Sequence, residues 1–256
     1  MSVLTHLQST VSAIKIADWE RTSIDTSIRT LSTKLGNHFT NLHSKFVFGS
    51  YDRKTILRRS KDPNSDVDYM VVFNDGASFQ PQTLMTRLKT FAEANYTRNE
   101  IKQSSPTIII ELSSIKFELA PAYVSWGTYY IPAPASSYSN WISTNPSGIK
   151  TELDNKHRAN SYLIKDLIQL LKYWNVKNGK IFSSYSIERY VLDRWFFSCT
   201  NLKEFFYSAV EGISTSGLSI SNSSKVNTLK RVVAKTKEYE AEGMPVSAEI
   251  EIKKVI

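Results

Sequence analysis

Residues 48–73 read FGSYDRKTILRRSKDPNSDVDYMVVF, and the way this stretch stops and restarts decides the fold. The apolar run Phe46, Val47, Phe48 breaks at Gly49-Ser50. A basic segment follows, with Arg53, Lys54, Arg58, Arg59 and Lys61. Asp66 and Asp68 then open a second apolar run that ends at Phe73. The pattern predicts a strand over 44–49, a loop with a short helix, and a strand over 66–73. Side chains two apart on a strand share a face, so Asp66 and Asp68 point the same way. Two such carboxylates repel unless a cation sits between them. Hard, oxygen-preferring Mg²⁺ or Mn²⁺, partnered by substrate phosphates, is the natural occupant.

A third carboxylate would complete that constellation. Glu118, in IKFELAPA, interrupts an apolar run, where an unpaired charge is costly. Strand alternation puts Lys116 and Ala120 on its face and sends Phe117 and Leu119 into the core. Glu111, in IIIELSS, is the rival, ranked lower because it closes its strand beside a turn.

Working outward, apolar periodicity predicts helices over 3–16 and 20–42, and Pro81 opens another that carries Leu84, Leu88 and Phe91. Short β runs follow at 100–102, 107–112 and 115–120, the last two joined at Ser113-Ser114 as a hairpin. Residues 131–147, rich in Pro, Ser and Asn, read as a crossover loop. Beyond them Leu163, Leu167, Leu171 and Trp174 line one helical face, and 185–198 and 226–242 are helical in pattern. The tail, PVSAEIEIKKVI, reads as an edge strand or a disordered end.

Composition narrows the partners. The net charge of +8 and pI near 9.4 favour anions such as nucleotides or nucleic acid. One cysteine, Cys199, excludes a disulfide framework and a cysteine-built zinc site. With no apolar run of membrane-spanning length and no signal-peptide pattern at the start, a cytoplasmic protein with no membrane partner is expected.

The motif GSYxRxT…SDVDxMVVF, followed by a strand ending acid-x-x-Pro-Ala, resembles the polymerase-β-like nucleotidyltransferase superfamily. Within it the chain is similar to the bacterial cGAS/DncV-like nucleotidyltransferases (CD-NTases), and to cGAS and the oligoadenylate synthases. A second block, KDLIQLLKYWNVKNGKIFSSYSIERYVL, resembles the cGAS-like segment in which a helix Lys precedes Ser-Ser-Tyr. The likeness covers roughly 45–195. It departs at Glu118, where many relatives carry Asp, and nothing beyond about residue 200 matches it.

The resemblance implies an α+β fold: a polymerase-β-like nucleotidyltransferase core, a mixed sheet with flanking helices, plus a C-terminal helical domain. The expected domains are N-terminal helices packing on the core (1–42), the catalytic core (43–135) and a helical domain completing the nucleotide cleft (136–256). By the same likeness Asp66, Asp68 and Glu118 are the catalytic metal ligands, and Gly49, Ser50, Lys172 and Ser184 hold the triphosphate. Tyr185 stacks on a base, a contact worth roughly 1–3 kcal/mol. Arg53, Arg58 and Arg59 are candidates for steering substrate or nucleic acid, with a solvated loop as the alternative. The implied activity is template-independent joining of NTPs or dNTPs into a cyclic or short linear oligonucleotide signal in anti-phage defence. The product is a single-stranded oligonucleotide, read by an effector protein. Alternatives are antitoxin-like nucleotidyl transfer to a protein or small molecule, or a non-catalytic nucleotide or RNA sensor.

Overall fold

Val67, Tyr69, Val71 and Phe73 are buried on one face of a strand whose other face begins with Asp66 and Asp68 and continues with Met70 and Val72. The expected alternation is thus realised, with a polar entrance on one face only. The computed structural model describes residues 2–104, 106–113, 115–134 and 140–256. They fall into two units: 16–59 with 63–151, and 1–15 with 60–62 and 152–256.

The first unit is built on a seven-stranded mixed sheet. Its elements, taken with α1 (Val3–Ile14) of the other unit to keep chain order, are α2 (Asp18–His38), β1 (Leu42–Phe48), α3 (Gly49–Asp52), β2 (Asp66–Phe73), α4 (Pro81–Asn95), β3 (Glu100–Ser104), β4 (Thr107–Glu111), β5 (Lys116–Ser125), β6 (Thr128–Pro132) and β7 (Trp141–Thr144). Strand order is β1-β2-β5-β4-β3, with β6 pairing β5 and β7 pairing β6. β2 and β5 run parallel and every other pair antiparallel. Leu31 and Leu35 of α2, and Leu84, Met85, Leu88 and Phe91 of α4, pack on the apolar face with Phe117 and Leu119 of β5. Pro81 starts α4 at its first turn, where a missing N–H costs nothing.

Helices make up the second unit: α1, then α6 (Ile164–Lys177), α7 (Ser184–Asp193), α8 (Leu202–Glu211), α9 (Ile220–Ala241) and α10 (Pro245–Ile252), with the division falling inside α5 (Pro146–Ala159). α1 packs Val3, Leu7, Val11 and Ile14 against α6, α8 and α10. Ser183, Asn201 and Ser219 cap α7, α8 and α9 with their side chains, each satisfying an otherwise orphaned amide.

Several sequence expectations are corrected. The two N-terminal helices do not stay together: α1 joins the helical unit and α2 the sheet. Both are amphipathic, and periodicity cannot say which partner covers a face. The stretch read as a loop at 131–147 contains β7. It is anchored by Trp141, whose indole donates to the Phe79 carbonyl (3.2 Å) and meets Tyr123 edge-on. The tail is helix α10, because Pro245 opens it and Ala248, Glu249 and Ile252 share its buried side. α7 stops at Asp193, and α9 begins six residues ahead of 226, at Ile220. The 107–112 and 115–120 hairpin forms in register Ile109↔Glu118, with Ser114 of its turn outside the described residues.

Candidate active site

The site begins where β1 ends. Gly49 takes a φ of +71°, and a β-carbon there would lie 1.8 Å from Asp68 Oδ2. Only glycine fits, because the backbone is left-handed and a carboxylate occupies the space a side chain would need. The turn is pinned from behind: the Ser50 carbonyl accepts the N–H groups of Thr55 (2.9 Å) and Ile56 (3.2 Å). The Ser50 N–H donates to the Asp68 carboxylate. Gly49-Ser50 is therefore built against Asp68.

β5 brings in the third acid. In the parallel register Asp68 lies opposite Glu118 and Asp66 opposite Lys116. All four project on the face away from α2 and α4, opposite the one on which Phe117 and Leu119 are fully buried. The Lys116 ammonium sits between two carboxylates, 3.3 Å from Asp66 Oδ2 and 3.0 Å from Glu118 Oε1. Thr107 of β4 donates to Glu118 Oε2 at 3.4 Å.

Crowded negative charge shows in the proton affinities. Burial, then the neighbouring Glu118 charge, raises Asp66 to about 6 against the pull of Lys116. Burial, then Asp66 and Glu118, raises Asp68 to about 7, although Arg53 and the Ser50 amide work the other way. On Lys116, burial favours the neutral form, but its bonds to Glu118 and Asp66 outweigh that and its pKa rises. Among the described residues no group of three or more His, Cys, Asp or Glu converges closely enough to hold a metal ion. The chemistry of the donors nevertheless fits a hard divalent cation. They are carboxylate oxygens on one face, short of positive charge, and a lysine already fills part of that deficit.

The remaining predicted residues fare unequally. Arg53 is buried beside Asp68. Arg58 pairs with Glu20 at 3.1 Å, and Arg59 with Glu111 and the Leu112 carbonyl. These two arginines tie the basic loop to the sheet unit and are not a solvated fringe. The same pairing engages Glu111, the rival third acid. In the helical unit, Ser184 opens α7 and Tyr185 is 52 % exposed. Ser183 spends its hydroxyl on the Ser186 amide. Lys172 is 4 % exposed and its ammonium lies 2.6 Å from Glu188 Oε1. The sequence reading put Lys116 on the right face but did not see that it bridges two acids. The i, i+2 spacing of Lys116 and Glu118 signalled the nearer partner, and only the β2–β5 pairing brings Asp66.

Comparison with known proteins gives the family and the fold. The Second Messenger Oligonucleotide or Dinucleotide Synthetase domain matches residues 1–157. The chain belongs to that family. A probable cyclic nucleotide synthase of Bacillus cereus (strain VD146) is 27% identical over 57% of this chain and 54% of its own length, so the chain spans about half of that curated relative. Among solved structures, the CD-NTase CdnG of Bradyrhizobium diazoefficiens in complex with GTP superposes with TM-score 0.71 at 10% identity, covering 99% of this chain and 97% of its own. CdnC of E. coli MS115-1, in its complex with HORMA-deltaN, gives TM-score 0.70 at 13% identity over 96% of both chains. At such identities the likeness is one of fold. This cGAS/DncV-like CD-NTase therefore has the expected architecture, a mixed sheet with flanking helices and a C-terminal helical region. Among its described residues no helix is long and apolar enough to cross a membrane.

Proposed function

We propose that the chain is a metal-dependent, template-independent nucleotidyltransferase. It joins NTPs or dNTPs into a cyclic or short linear oligonucleotide signal, with release of pyrophosphate, in bacterial anti-phage defence. The observation that carries this reading is the register of β2 and β5. It sets Asp68 opposite Glu118, with Asp66 on the same face, beside Gly49, which admits no side chain.

Asp66, Asp68 and Glu118 would hold Mg²⁺ or Mn²⁺, which when bound lowers the pKa of an acceptor hydroxyl and neutralises charge on the triphosphate. The chain's own groups do the rest. Gly49 keeps the approach to Asp68 open, and Ser50 orients the triphosphate at the turn. Arg53, close to Asp68, offsets negative charge as phosphate arrives. Thr107 restrains one Glu118 oxygen. Ser184, at the start of α7, contributes a helix N-terminus suited to phosphate, and Tyr185 offers a ring to a base. Lys172, buried against Glu188, is left out of the triphosphate site.

The test is incubation with all four NTPs and all four dNTPs plus Mg²⁺ or Mn²⁺, with products resolved by mass spectrometry. The wild type is expected to yield a cyclic or short linear oligonucleotide and pyrophosphate, and D66N/D68N neither. Wild-type turnover by D66N/D68N would overturn the mechanism. A label transferred to a protein or small-molecule acceptor would replace signal synthesis with acceptor modification. Nucleotide binding without pyrophosphate release would make the chain a sensor.

A further inference from the structure

Lys116 occupies an unusual position for a lysine. Its ammonium is shared between Asp66 on β2 and Glu118 on its own strand, at 3.3 and 3.0 Å, and its side chain is only 16% exposed. The backbone holds it there, because Lys116 faces Asp66 across the parallel pair and Glu118 follows two residues later on the same face. Neither acid can shed the lysine by sliding the strands, since a slip of one residue would turn Phe117 and Leu119 out of the core. The ammonium can leave only by swinging its flexible four-carbon stem.

The position matters because it is the place a divalent cation needs. Both oxygens that Lys116 engages belong to side chains assigned to the metal. The local charge reinforces the conflict. Three carboxylates face two cations, Lys116 and Arg53, the latter beside Asp68. A bare divalent ion thus meets oxygens that an ammonium already engages, and must evict that ammonium into water to enter. A triphosphate changes that balance. It adds negative charge that helps hold the ion, and its oxygens give the displaced ammonium a new partner.

We infer that Lys116 is a built-in counter-ion that keeps the carboxylates in reserve, so that the divalent ion loads together with a nucleoside triphosphate and not ahead of it. This rests on the metal-ligand reading of Asp66, Asp68 and Glu118 given above. Lys116 acts through those acids and is a positioning residue.

The test reads metal binding, not turnover. Mn²⁺ is titrated into the full chain without nucleotide and followed by electron paramagnetic resonance, for wild type, K116M, K116Q and D66N/D68N. K116Q retains a polar side chain and repeats the comparison should K116M fold poorly; thermal melts confirm folding of each. K116M and K116Q are expected to bind Mn²⁺ at least about tenfold more tightly than wild type, the effect of removing one competing charge. In a second arm, water-proton relaxation reports protein-bound Mn²⁺ with non-hydrolysable ATP or GTP analogues present. There the wild type is expected to tighten by about tenfold or more, and the Lys116 variants by much less. Equal Mn²⁺ affinity in wild type and both Lys116 variants, with binding lost in D66N/D68N, would overturn the inference while leaving the metal site standing. Undiminished Mn²⁺ binding by D66N/D68N would remove the metal site and the inference together.

Discussion

Gly49 and Asp68 illustrate how tightly single residues are specified here. A methyl group at position 49 has nowhere to go, with Asp68 Oδ2 1.8 Å from where it would sit and the backbone at φ +71°. G49A is expected to destabilise the sheet unit by about 2–3 kcal/mol, strain and displacement of the carboxylate together. Urea denaturation checks this. Asp68 makes the opposite prediction. Its carboxyl is raised from 3.8 to about 7 in the fold, so the folded chain keeps a proton that the unfolded chain releases near pH 4. Stability contributed by this group therefore falls as pH rises from about 4 to about 7 and stays low above that. Metal-free D68N is expected to be more stable than wild type at pH 8, by about 2 kcal/mol, and the gap should close toward pH 4.5. Denaturation at the two pH values, in chelator, measures it.

At the scale of elements, α6 and α7 are joined by a buried pair, Lys172 with Glu188, at 2.6 Å. Removing one partner strands the other charge. K172M is expected to cost about 3–5 kcal/mol, while K172M/E188L should recover most of it. Thermal melts read the recovery. The double variant should also keep the wild-type KM for nucleotide, since the ammonium is committed to Glu188; a raised KM would return Lys172 to the triphosphate. Tyr185, one turn earlier on α7, is exposed, so Y185A should leave the melting temperature unchanged. It should weaken nucleotide binding by roughly 1–3 kcal/mol if a base stacks there, visible as a higher KM. The elements themselves were readable where their cues are local. β2 matches its expected bounds of 66–73, and Pro81 marks the start of α4. They were not readable where pairing creates them. β7 is a strand because β6 and the Trp141 anchor hold it, not because residues 141–144 alternate.

For the whole molecule, two units share one chain, and the division runs through α5. The expected metal ligands, with Gly49 and Ser50, lie in the sheet unit, while Ser184 and Tyr185 lie in the helical one. An amphipathic helix shows that it will be buried, not against what, and so α1 and α2 went to different units. The positive charge of +8 favours anionic ligands through its summed field. Yet Arg58 and Arg59, the residues that suggested a steering loop, are already paired with Glu20 and Glu111.

By itself the sequence determined the faces. Period-two alternation put Asp66 with Asp68, Lys116 with Glu118, and Phe117 and Leu119 in the core, because side-chain direction along a strand follows from local backbone geometry. The Gly-Ser break and the family likeness were equally local. Tertiary structure alone decided which carboxylates meet. Asp68 and Glu118 are fifty residues apart, and their opposition depends on the register of a parallel pair fixed by core packing. The same long-range packing settled that Lys116 bridges two acids and that Lys172 is buried, since a charge's partner is chosen by whichever chain segment folds against it.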